Sequence, residues 1–152
     1  MPQQMRGYRR KAREAAMSYL YQHDAEVRPL TADVEKFLNH FRIESDIREF
    51  AKQIILGVLQ NIEKIDQSIS AASEHWKLYR MESIDRTLLR MSVWEILYCP
   101  ETDHPVILDE AIELAQNFGS NNSSAFVNGI LDNLAKEFRP EPSETLAAVS
   151  NA

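Results

Sequence analysis

One cysteine, four glycines and six prolines occur in 152 residues, and each scarcity removes a class of protein. A lone Cys99 excludes a disulfide framework or a multi-cysteine zinc site, and it suits a reducing compartment. Four glycines are too few for a barrel or sandwich with many tight turns, or for a glycine-rich nucleotide loop. The longest unbroken apolar stretch, Ile54 to Leu59 with its Gly57, is far short of the ~20 residues that span a bilayer. The amino terminus is basic but has no apolar stretch behind it, so it does not read as a secretory signal. These features predict a cytoplasmic protein without a membrane contact.

What is present reads as helix. Hydrophobic residues make up 44% and charged residues 26% of the chain, enough for one compact domain or two small lobes sharing a core. The prolines (2, 29, 100, 105, 140 and 142) leave long uninterrupted segments and mark where helices break. Ala12, Ala15, Ala16, Tyr19 and Leu20 recur at helical spacing. A second helix is expected from a Thr31 N-cap, presenting Val34, Phe37, Leu38 and Phe41. A third starts near Ser45 and bends near Asn61 into a fourth carrying Ile62, Ile65 and Ile69. Ser83 is expected to cap a fifth, apolar over most of its circumference and therefore central. After the Pro100–Pro105 connection a sixth ends at Phe118, where Gly119 fits a left-handed cap. The seventh carries Phe126, Val127, Ile130, Leu131, Leu134 and Phe138. Its Gly129 suggests close approach of a neighbouring helix, and Asn128 a buried or half-buried hydrogen bond. The fold class is all-α, about seven helices in a domain over residues 1–139, with 140–152 a mobile tail.

Chemistry is hard to find in these residues. His23, His40, His75 and His104 are scattered, with no partner at metal-ligand spacing. Cys99 lacks a visible histidine partner and reads as an inert thiol. Asp109, Glu110 and Glu113 lie on one amphipathic helix and read as a solvated face. No Walker loop or dinucleotide fingerprint occurs. The expectation is a protein without catalysis, metal or cofactor.

Charge is distributed unevenly. Net charge is −6, yet residues 1–13 hold Arg6, Arg9, Arg10, Lys11 and Arg13 and no acid, while the rest carries 12 basic and 23 acidic side chains. A basic arm attracts phosphate or anionic lipid, and an acidic body attracts a basic protein. Arg10 and Tyr21 are eleven residues apart, three turns, so they share a helix face with Arg13 on its flank. Arginine forks hold phosphates, and an exposed phenol ring can stack on an unpaired base. Five phosphate contacts to a single strand would give a log K against log salt slope of about −3.5. Solvated arginines and a packed Tyr21 are the alternative. Ser123 and Ser124, opening the last helix, offer a second place for a phosphate at unpaired backbone N–H groups; ordinary N-capping explains them equally well.

Four stretches carry a resemblance: RRKAREAAMSYLYQ (9–22), LLRMSVWEILY (88–98), HPVILDEAIELAQNFGS (104–120) and SSAFVNGILDNLAKEF (123–138). In this order and spacing the chain resembles the NusB family of bacterial transcription antitermination factors. The resemblance implies two small helical bundles packed into one domain and no catalysis. It implies binding of single-stranded boxA RNA as a heterodimer with NusE, a small-subunit ribosomal protein, within an RNA polymerase antitermination complex. Arg9, Arg10, Lys11, Arg13 and Tyr21 map onto the family's RNA contacts, and Asp85 and Phe126 onto its NusE-facing surface. Some members self-associate, so a homodimer is a further expected partner. Ser18, Asp109 and Asn122 depart from the family's usual glutamine, asparagine and acidic residue. The competing function is a helical protein-interaction module without specific RNA binding.

Overall fold

Helix α5 (Ser83–Tyr98) organises the molecule because ten of its sixteen residues are buried, from Asp85 through Ile96. It packs against α1 (Pro2–Ala25), α3 (Ser45–Gln60), α4 (Ile62–Ala72), α6 (His104–Phe118) and α7 (Ser123–Phe138). The short α2 (Asp33–Asn39) lies against α1 and α3. The computed structural model describes residues 2–25, 33–41, 43–74 and 76–140. Among the described residues there are seven α-helices, one 3-10 turn at Leu78–Arg80, and no strand. Helices α1–α3 form one group and α4–α7 another, with α5 touching both, so one continuous apolar core runs through the two. The all-helical expectation therefore holds, as does the central place of α5. The Thr31 cap and residues 141–152 lie outside the described residues.

Local details show why the chain turns where it does. Asn61 both ends α3 and opens α4, and its amide donates 2.8 Å to the Gly57 carbonyl. A Cβ on Gly57 would collide with the Trp94 indole nitrogen, so the missing side chain is what lets α3 lie close to α5. At the far end of α5 the Arg139 guanidinium donates to the main-chain carbonyls of Glu95, Ile96, Cys99 and Thr102. A cation placed on the open carbonyls of a helix C-terminus satisfies them and complements the dipole.

Several local expectations are corrected. Ser83 is the first residue of α5 rather than its cap, and its hydroxyl donates to Asp24 from α1. Phe41 lies beyond the end of α2 and tilts against Phe37. Gly119 is extended (φ −94°, ψ −171°), not left-handed; a Cβ there would meet Ser123 Oγ at 2.5 Å, so space rather than torsion demands glycine. Gly129 faces no neighbouring helix: a Cβ at this position would have nothing within 4 Å, and Asn128 beside it is exposed. Gly129→Ala should accordingly raise stability by up to ~1 kcal/mol, the helix-propensity difference alone. A higher urea midpoint with an unchanged slope is the expected reading.

An ion network ties α1 to α4 and α5. Asp24 accepts from Ser83, Arg86 and Arg90, and Arg90 turns its other edge to Asp66 at 2.9 and 3.0 Å. Burial pushes the Asp24 carboxyl up, but hydrogen bonds and charge from Arg86 and Arg90 outweigh it and hold it below the ordinary 3.8. A carboxyl lowered in the folded state stabilises the fold above its unfolded value and loses that contribution as pH falls through the folded one. Acid unfolding should therefore include a component below about pH 4 that Asp24→Asn removes, leaving a flatter stability profile in that range.

Candidate nucleic-acid and partner interfaces

Helix α1 carries the expected cationic residues, but tertiary contacts divide them. Arg9 donates 3.2 Å to Thr102 Oγ1 and lies 5.1 Å above the Phe50 ring. Arg10 is paired with Glu110 and Glu113 of α6. Lys11 is exposed. Tyr21 is 41% exposed, three turns along the same face as Arg10, so its ring is open to solvent as the RNA reading requires.

Arg13 corrects the expectation. It is 2% exposed and its guanidinium forms a fork with Glu95 of α5, at 2.9 Å from Nε and 2.7 Å from the outer nitrogen. The Phe50 ring covers it at 5.5 Å. The reason is register: Ala16, Met17 and Leu20 follow Arg13 at helical spacing and all are buried, so Arg13 belongs to the packed face rather than to the flank of the exposed one. In this fold it reaches no external phosphate.

Ser123 is a second correction. It is fully buried and accepts from the Ser120 backbone N–H at 2.9 Å. Its hydroxyl serves the turn before α7, while Ser124 is half-exposed. Asp85, expected on the partner-facing surface, is 6% exposed and lies behind it. Burial pushes its carboxyl up, the Ser123 hydroxyl opposes this, and Glu82 adds to the rise.

Phe126 itself is half-buried, with Trp76 meeting its ring edge-on at 5.8 Å. Trp76 is 57% and Tyr79 70% exposed, and Arg80 lies over Tyr79. Ser70, Ser73, Glu74, Trp76, Leu78 and Tyr79 are among the residues lining a cleft of about 410 Å³ here. Sequence reasoning missed Trp76 and Tyr79. Their signal was WKLYR itself: two large aromatics in a segment too short to be a core helix, between two helices already complete.

The Cys99 thiol is pushed up to about 12 by burial and by Glu95 and Glu101, so it stays protonated at neutral pH. Among the described residues no group of three or more His, Cys, Asp or Glu side chains could hold a metal ion, and no helix is long and apolar enough to cross a membrane. An exposed tyrosine on the Arg10 face of α1 and a separate aromatic cleft thus sit on one all-helical frame.

Comparison with known proteins makes this specific. The NusB family model matches residues 10–136, and the chain belongs to that family. A "Transcription antitermination protein NusB" of Elusimicrobium minutum is 41% identical over 134 residues, covering 86% of this chain and 95% of the relative. One from Desulfatibacillum aliphaticivorans is 38% identical over 128 residues, covering 84% and 90%. Among solved structures, NusB of T. maritima superposes with a TM-score of 0.78 at 36% identity, covering 91% of this chain and 96% of that one. At 24% identity the fold alone is shared with a chain from a crystal structure of antitermination factors NusB and NusE in complex with dsRNA, with TM-score 0.78, covering 86% and 98%.

Proposed function

We propose that this protein is a non-catalytic, cytoplasmic transcription antitermination factor. It binds boxA-type single-stranded RNA on the Arg9, Arg10, Lys11 and Tyr21 side of α1. It docks NusE, a ribosomal protein, on the aromatic patch of Trp76 and Phe126 beside the cleft, and so joins the RNA polymerase antitermination complex. The observation that carries this reading is that the family match over residues 10–136 takes in Arg10, Lys11, Tyr21, Trp76 and Phe126. The exposed Tyr21 ring supports the RNA face, and relatives named for transcription antitermination support the role. Positive groups hold the RNA backbone, stacking on Tyr21 holds a base, and the acidic body suits a basic ribosomal partner.

The test is a titration of a fluorescent boxA-type RNA with and without NusE across a range of salt. Phosphate contacts from Arg9, Arg10 and Lys11 would give a slope of about −2. Tyr21→Ala should weaken binding by about 1–3 kcal/mol while leaving the circular dichroism spectrum unchanged. RNA affinity that ignores both salt and Tyr21 would leave only the protein-interaction module.

A further inference from the structure

Arg10 is held on two sides at once. Glu110 takes its inner fork, with Oε2 3.1 Å from Nε and Oε1 3.2 Å from one terminal nitrogen. Glu113 takes the outer fork, with Oε1 3.1 Å from one terminal nitrogen and Oε2 3.0 Å from the other. A guanidinium has five N–H donors, so these two carboxylates leave Arg10 no free pair for a bidentate phosphate. The triad also carries net negative charge, with Glu14 adding to the field around it. While both carboxylates are in place, this triad offers phosphate no net attraction.

The two carboxylates differ in kind. The Glu110 side chain is 4% exposed and fixed; that of Glu113 is 44% exposed, level with the 37% of Arg10. An exposed ion pair is weak and screened by salt, whereas a buried fork is not easily exchanged. We propose that Glu113 is an internal competitor for RNA, occupying the outer fork of Arg10 until a phosphate displaces it while Glu110 keeps the guanidinium in place. Glu113 is thus a gating residue that sets affinity. It rests on the RNA reading of α1 given above.

Removing the competitor's charge isolates the effect. Glu113→Gln should tighten binding of the boxA-type oligonucleotide roughly fivefold, the loss of one exposed ion pair that RNA must otherwise displace, with little change in the salt slope because a phosphate occupies Arg10 in the bound state of both proteins. In an Arg10→Ala background the same substitution should change affinity less than about twofold, because the fork it frees is gone. Unchanged affinity in Glu113→Gln, where Tyr21→Ala still weakens binding, overturns the gate and leaves the RNA reading standing. A gain that persists in full without Arg10 also overturns it, since any lost negative charge would then suffice. Absence of salt-dependent RNA binding in the wild type overturns the RNA reading and the gate with it.

Discussion

Arg13→Met is expected to cost about 3–5 kcal/mol of folding stability, the penalty for leaving one member of a buried ion pair alone. Both side chains of the Arg13–Glu95 pair are 3% exposed, so water cannot replace the lost partner. Glu95 would then be left as a buried charge without its partner, which destabilises the fold. The double variant Arg13→Met/Glu95→Leu removes both charges and should recover most of the loss, because an apolar pair of similar volume needs no partner. Urea denaturation followed by circular dichroism reads both. A single variant losing less than ~1 kcal/mol would contradict the burial on which this rests. The folded double variant should also bind RNA within about twofold of the wild type, a difference of under ~0.5 kcal/mol, which separates a structural Arg13 from a contacting one.

Trp76→Ala is expected to weaken NusE binding by at least ~2 kcal/mol, roughly thirtyfold, as truncation of a central aromatic anchor does. The ring is 57% exposed and stands edge-on to Phe126, so the fold loses little when it goes. Phe126→Ala should act in the same direction, and the two losses should not add, because each ring positions the other. Calorimetric titration with NusE checks this. Wild-type affinity in Trp76→Ala would place the partner elsewhere. RNA binding in the absence of NusE should not change, since Trp76 belongs to the connection between α4 and α5 and not to α1.

Much of the fold was legible because helical periodicity is a local property. Prolines, the bend at Asn61 and the apolar circumference of α5 each follow from neighbours within a few turns. Caps and glycines were read less well, since their reasons lie across the molecule. Ser83 turns to Asp24 59 residues away, and Gly57 is required by the Trp94 ring. Gly119 looked like a torsional signal and is a steric one.

For the binding faces, residue order alone determined that a cluster of positive charge lies on the first helix, that Tyr21 shares a face with Arg10, and that Phe126 starts the last helix. Only the packed structure decided which charges remain open to a ligand. Arg13 faces inward because α5 supplies Glu95 at the matching depth, and Arg10 is held because α6 presents Glu110 and Glu113 beside it. Charge is carried by single residues and can be counted along a chain; whether it is neutralised depends on what a distant helix places within about 3 Å, a hydrogen-bond length.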